Sequence, residues 1–323
     1  MFRYLIARLL SLIPTLVGVS LLVFLLVRLI PGTIVEQMLG AEAQVTEELL
    51  ARLRAFFGLD QPIQVQYAHW LAQAVRGNLG VSWQVGMPVL QMILARLQVT
   101  AELTLGAMLV ALLVGIPFGI ISAIKENTAL DHVIRIASLF SLSMPIFWQA
   151  AMMILMLSVW FRWAPVGYVD LAADPAANVR QMILPWIVLG TAVAATLMRM
   201  TRSCLLEVMR QDYIRTARAK GVRERVVIWS HALKNAMIPV ITVAGVQVGY
   251  LLGGAVVTEE VFTLPGIGRL VLWAIYQRDY PLVQGTVLFI AVAFALTNLA
   301  VDAIYGYLDP RIRYTRRGPV TGG

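Results

Sequence analysis

Runs of about twenty apolar residues cannot be buried in a water-soluble domain of ordinary size, and this chain of 323 residues carries several of them. In hydrocarbon each peptide N–H and C=O has to be satisfied within its own segment, so every such run predicts a membrane-spanning helix. The first, 5–29, is charged only at Arg8 and Arg28, near its ends. Further runs lie at about 100–124, 133–161, 183–200, 237–257 and 285–307. With 59% hydrophobic and 14% charged residues, the expected fold is an all-α polytopic membrane protein with six transmembrane helices. A cleaved signal peptide is the rival reading of the first run. Its apolar stretch is too long for that, and RLIPG at 28–32 offers no small-residue cleavage site.

The spacing of these runs divides the chain into an N-terminal segment with the first span (1–30), a loop with short helices (31–98) and a core of five spans (99–323). The loop holds four Arg and five acids, including an amphipathic stretch at 45–57 that Gly58 would cap. Six spans place both termini on one side. That side, with the turn near Lys125 and the loop 201–236, holds most of the Lys and Arg, so it is expected to be cytoplasmic and 31–98 extracytoplasmic.

The loop between the fourth and fifth spans stands apart from the others. From 199 to 239 there are nine Lys/Arg against three acids, Glu207, Asp212 and Glu224, which accounts for +6 of the net charge of +8. Leu206, Met209, Tyr213, Ile214 and Ala217 recur at helical spacing. Gly221 then offers a left-handed cap, and a second series runs through Val222, Val226, Trp229 and Leu233. The pattern predicts helix, glycine turn, helix. Charge and periodicity leave three uses open: docking of a cytosolic partner, a basic hairpin lying on anionic lipid, or packing within the chain.

Other chemistry is sparse. One cysteine, Cys204, excludes an internal disulfide, and His69, His132 and His231 are too scattered to suggest a metal site. Lys125, Lys220 and Lys234 each follow an apolar residue, so no Walker A loop is present and ATP-driven work would need another polypeptide. The basic residues border apolar spans instead of forming an aromatic-studded face, which argues against nucleic acid. Within the spans only Asp302, one turn after Asn298, is a candidate proton relay, with pairing to a basic residue as the alternative. No constellation suits an integral membrane enzyme. Gly245, Gly249 and Gly253 form successive GxxxG steps, and Gly115 and Gly119 another; they suit either static close packing or a wall that slides.

Motifs spread along the whole length carry a resemblance: RLIPG (28–32), GLDQP (58–62), MPIFW (144–148), MILP (182–185), RMTR (199–202), DYIRTARAKG (212–221), HALKNA (231–236), PGIG (265–268), RDYP (278–281) and PRIR (310–313). The chain resembles the membrane permease subunits of peptide-type ABC importers, the dipeptide, oligopeptide, glutathione and nickel permeases. The resemblance implies the type I importer architecture in a bacterial or archaeal cytoplasmic membrane. It implies that Asp212, Tyr213, Arg215, Thr216, Ala217, Arg218, Ala219, Lys220 and Gly221 couple to a cytoplasmic ATPase. It also implies as partners a second, non-identical permease subunit, two ATPase subunits that hold ATP and Mg, and an extracytoplasmic solute-binding protein. No cofactor is expected in this chain. The broad importer form of the loop begins Glu-Ala-Ala where this chain has RTA at 215–217, as the peptide-type branch does. Gly245, Gly249, Gly253, Glu259, Phe262 and Pro265 are candidates for a gate or pore lining, with a simple rim turn as the alternative at the last three. An ATP-independent carrier or channel is the competing functional class, and the resemblance does not select among substrates.

Overall fold

The computed structural model describes residues 2–29 and 60–308, with side chains throughout those stretches other than at 2–7, 254, 302 and 304–308. The expected amphipathic helix at 45–57, the basic tail and the Asp302 side chain lie outside the described residues. The described elements are α1 (Phe2–Leu29), α2 (Ile63–Val75), α3 (Val89–Ile124), α4 (Ala129–Ser143), α5 (Ile146–Phe161), α6 (Pro175–Met209), α7 (Asp212–Ala219), α8 (Glu224–Val226), a π-helical segment (Val227–Ala232), α9 (Leu233–Val261), α10 (Ile267–Tyr276) and α11 (Tyr280–Leu308). Among the described residues the only β feature is the isolated bridge between Val81 and Pro88.

Among the described residues five helices are long and apolar enough to cross a bilayer, and a sixth span results when α4 and α5 count as one. The sequence suggested one straight run at 133–161, but it is bent by 107° between α4 and α5. Pro145 cannot donate to the preceding turn, so the carbonyls there lose their helical partners. Gln149 replaces them: its Nε2 donates to Ser141 O at 2.9 Å and Met144 O at 3.3 Å. Its Oε1 accepts from Thr191 Oγ1 of α6 at 3.2 Å, which anchors the bend to a neighbouring span. The other long helices outrun their apolar cores. α3 begins eleven residues before the expected start and α6 continues nine residues past its expected end, because polar turns at span ends keep their internal hydrogen bonds in water.

Helices and loops separate into two compact units. One comprises mainly 100–264 together with 296 onward. In it α6 is the central element, flanked by α4, α5 and α9. Its start is set by Asp174, whose carboxylate accepts from the N–H groups of Ala176 and Ala177 at 3.1 and 3.0 Å, with Pro175 pre-set in the first turn. α3 runs parallel to α6 along a seam of small residues. A Cβ at Gly115 would lie 2.7 Å from Ala194 O, at Gly119 2.7 Å from Met198 O, and at Gly190 2.6 Å from Ala107 O, so only hydrogen fits there.

The other unit comprises mainly 6–99 and 265–295. α2 lies along α1 through Phe24, Tyr67 and Trp70, with ring centroids 5.2 and 5.8 Å from Phe24. Arg28 donates to Gln66 Oε1 at 2.8 Å, and Ser20 and Tyr67 share a hydrogen bond of 2.8 Å. Val89, Met92, Ile93, Leu270, Ala274 and Leu282 form its apolar core. The buried Asp279 carboxylate accepts from the Ser82 hydroxyl and from the N–H groups of Trp83 (3.4 Å) and Leu282 (3.3 Å), so one side chain ties the 82–84 turn to the start of α11.

Candidate functional site

The basic hairpin is built differently from its neighbours. α6 ends at Met209, Arg210 and Gln211 turn the chain, and α7 follows for two turns. The expected single helix through Leu206 and Ala217 is therefore broken. Of α7 only Ile214 is fully buried, while Asp212, Tyr213, Arg215, Thr216, Arg218, Ala219 and Lys220 are exposed and Ala217 is partly so. Gly221 takes φ +76°, the left-handed conformation expected of it, and its cap returns N–H bonds to Arg218 O (2.9 Å) and, through Val222, to Ala217 O (3.2 Å). Arg218 reaches over the turn to grip Glu224 with two bonds, Nε to Oε2 at 3.0 Å and Nη2 to Oε1 at 2.6 Å. The paired carboxylate raises the Arg218 pKa above its already high value, so the clasp's cation is permanent. The second series does not form a separate surface helix. α8 leads through the π segment directly into α9, and Asn235 Nδ2 donates to the Tyr213 hydroxyl at 3.0 Å, fixing α7 to that helix.

Beneath the hairpin lies an ion-pair base that the sequence did not reveal. Arg202 of α6 meets the fully buried Asp131 of α4 through two bonds, Nε to Oδ1 at 2.9 Å and Nη2 to Oδ2 at 2.8 Å. The Ser122 hydroxyl and the Asn127 N–H (3.1 Å) also donate to that carboxylate, so every buried lone pair has company. Arg210 pairs with Glu126 at 3.1 Å on the adjoining turn. Glu126, Arg202, Glu207, Arg210, Gln211 and Asp212 line an open, polar cleft of about 570 Å³ beside the N-terminus of α7. An exposed two-turn helix next to a polar recess can receive a complementary protein surface while its roots stay fixed.

The gate candidates differ in their surroundings. Glu259 is buried near the end of α9 and its Oε1 accepts from Thr100 Oγ1 at 2.6 Å. Phe262 is buried too, and its carbonyl accepts from the Gly167 N–H at 3.0 Å. Pro265 is exposed and belongs to the other unit. On α9, Gly249 is buried, Gly253 faces open space, and Gly245 presses against the Val301 side chain of α11. The α9 glycines thus do not share one packing role. The seam along α6 also uses Gly106 and Gly190, which sequence reading did not single out; Trp186 lies over Gly106. At the loop before α6, Tyr168 donates to Glu102 Oε2 at 3.0 Å. Burial, reinforced by that carboxylate, pushes the phenol up to about 12, so it remains a donor at any physiological pH.

Two family profiles cover the chain. Residues 115–314 match the binding-protein-dependent transport system inner membrane component, and residues 1–104 match the N-terminal region of the same class. The chain belongs to this permease family. The dipeptide transport system permease protein DppB of Escherichia coli K12 is 43% identical over 340 aligned positions, covering 98% of this chain and all of the relative. DppB of Alkalihalophilus pseudofirmus is 42% identical with 97% and 100% coverage, and the glutathione permease GsiC of Escherichia coli O6:H1 is 41% identical with 97% and 100% coverage. A solved structure of the MetNI methionine ABC transporter, in inward-facing conformation, superposes with a TM-score of 0.54 at 17% identity. It covers 68% of this chain and 97% of the solved one, which supports the type I importer fold. The permease is therefore a multi-pass inner membrane protein and a transmembrane subunit of an ATP-driven importer. It is not itself an enzyme: the ATP is hydrolysed by separate subunits, and other permease and binding-protein subunits complete the system.

Proposed function

We propose that this permease forms half of the translocation path for short peptides and that α7 is the element through which ATP-driven motion reaches it. The exposed face of α7 carries the reading: Asp212 to Lys220 present one buried side chain to their own chain and the rest to solvent. A surface this polar, held at both roots by α6 and α9, moves as a rigid lever when a partner engages it. Both termini and the hairpin lie in the cytoplasm of a bacterium or archaeon. Two ATPase subunits hold ATP and Mg, a non-identical second permease supplies the other half of the path, and a solute-binding protein delivers cargo to the opposite face. The permease carries no cofactor of its own. Among the substrates of the class, dipeptides fit best, since the two DppB relatives cited above are named for dipeptide transport at 42–43% identity over their full length.

The test is uptake by the complete importer in proteoliposomes. Ala217→Trp with Gly221→Val enlarges the exposed face and forces a branched side chain into φ +76°, leaving the spans untouched. Assembly into the membrane should persist and ATP-dependent dipeptide uptake should disappear. Undiminished uptake, or failure of a photo-cross-linker at Ala219 to capture an ATP-hydrolysing subunit, would refute the reading.

A further inference from the structure

The broken span is fastened to α6 on both sides of its break, and the two fastenings differ in kind. On the α4 side the buried Asp131 carboxylate takes two bonds from Arg202. On the α5 side Gln149 Oε1 accepts from the Thr191 hydroxyl at 3.2 Å. Thr191 and Arg202 stand about 16 Å apart along the axis of α6, so one helix holds the span at two separate points.

Gln149 also holds the break at its angle. In an unbroken helix the Ser141 carbonyl would accept from the residue four further on, which here is Pro145 and has no N–H. Nε2 of Gln149 takes that place, and its second hydrogen serves Met144 O. With both amide hydrogens committed, Oε1 is the atom left to reach a neighbouring helix. The hydroxyl it meets has one proton and two acceptors. Thr191 Oγ1 lies 3.2 Å from Gln149 Oε1 and 2.9 Å from Val188 O of its own helix, so it serves Gln149 only by leaving Val188. When α5 and α6 part, that proton has a nearer acceptor waiting. The Asp131–Arg202 pair has no such exit, because separating it strands a buried carboxylate.

We infer that Gln149 is a positioning residue for transport: it sets the bend, and with Thr191 it forms a releasable catch between α5 and α6, while the ion pair keeps α4 on α6 throughout. The inference rests on the reading of α7 above for the source of the motion. Driven from its α7 end, α6 carries α5 along while the catch is closed, and α5 swings about Pro145 once the Thr191 proton turns to Val188 O.

The test measures dialanine uptake and ATP hydrolysis together in proteoliposomes holding the complete importer. Thr191→Val keeps the shape and removes the hydroxyl. The ATP consumed per dialanine should rise about threefold, the size of one side-chain hydrogen bond between membrane helices. The melting temperature should stay within about 2 °C of the wild type. Thr191→Ser should restore the ratio, and Thr196→Val, whose hydroxyl bonds back to Ala192 O at 3.3 Å, should leave it unchanged. Adding Thr191→Val to Gln149→Leu should raise the ratio no further than Gln149→Leu alone. A second readout needs no cargo. Nitroxides on Phe147→Cys of α5 and Ile183→Cys of α6, both exposed, with the buried Cys204 changed to Ala, should show a broader distance distribution in Thr191→Val than with threonine present. An unchanged ratio or distribution in Thr191→Val, failure of serine to rescue, a like rise in Thr196→Val, or additive effects in the double variant would overturn the catch. A raised ratio and broadened distribution in Thr191→Val, beside undiminished uptake in Ala217→Trp with Gly221→Val, uphold the catch and remove α7 as the source of motion.

Discussion

The seam between α3 and α6 and the hairpin around α7 are covalently joined through α6, yet they are held by opposite means. At the seam, backbone atoms of one helix touch the glycines of the other, with Ala194 O, Met198 O and Ala107 O in the space where a Cβ would sit. At the hairpin Ile214 is the one deeply buried residue of α7, and the shape of the turn is kept by a glycine cap, the Arg218–Glu224 clasp and the Tyr213–Asn235 bond. A packed seam has no tolerance for added volume but also presents no new surface. A polar hairpin tolerates change in its own fold and exposes nearly all it has. Substitutions in the seam should therefore act on assembly, and substitutions in the hairpin on coupling with assembly intact.

Gly119→Leu tests the first half most severely. Its Cβ would fall 2.7 Å from both Met198 O and the Thr201 Cβ, and since one of those atoms is backbone the helices have to separate. Overpacking of this kind costs at least about 1–3 kcal/mol and more when backbone moves. The variant should not be recovered as assembled complex by detergent size-exclusion chromatography. Recovery at the wild-type yield would mean the seam is loose.

Arg202→Leu comes next, because it strands the buried Asp131 carboxylate with only Ser122 and the Asn127 N–H for company. Removing one partner of a buried pair costs about 3–5 kcal/mol, and the partial exposure of Arg202 places this case at the lower end. The melting temperature of the purified complex should fall by several degrees, and Asp131→Leu combined with Arg202→Leu should melt higher than Arg202→Leu alone. This pair lies at the root of the hairpin, so it also asks where the rigid part of the molecule ends.

These two regions were unequally legible in the sequence. The apolar runs announced the spans, and the α7 turn was readable because Gly221 follows a basic helical stretch, a local signal. The bend at Pro145 was in view but ambiguous, since a proline inside a membrane helix is tolerated when neighbours supply the lost bonds; here Gln149 does so, and nothing local marks it for that task. Asp131 and Arg202 are 71 positions apart and were unreadable for the same reason. Pairing depends on how α4 and α6 pack, and charge near a span end equally suits a headgroup. Gly106 and Gly190 went unnoticed because a lone glycine shows its purpose only once the helix facing it is known.

Within the hairpin the clasp should matter less for folding. Arg218 and Glu224 are 37% and 53% exposed, so Arg218→Ala is expected to cost under about 1 kcal/mol and leave the melting temperature near that of the wild type. Dipeptide-stimulated ATPase activity of the importer should nonetheless fall severalfold, because the clasp sets the angle at which α7 leaves the glycine turn. Loss of thermal stability in proportion to activity would erase the distinction between seam and hairpin.

Tyr213→Phe removes a single exposed hydroxyl, and with it the bond from Asn235 Nδ2. The released amide can turn to water or keep its second bond, to His231 O at 3.1 Å, so no polar group is stranded and the stability change should be about 0.5 kcal/mol or less. The ring itself is unchanged. What the bond supplies is stiffness: the clasp ties α7 to the first residue of the helix that continues as a membrane span, Glu224, whereas this bond ties it to the same helix further along, at Asn235. If motion enters through α7 and leaves through α9, Tyr213→Phe should lower uptake more than it lowers ATP hydrolysis, raising the ATP consumed per peptide moved. Parallel measurement of both rates in one proteoliposome preparation decides this. An unchanged ratio would assign transmission to the clasp and the α6 root.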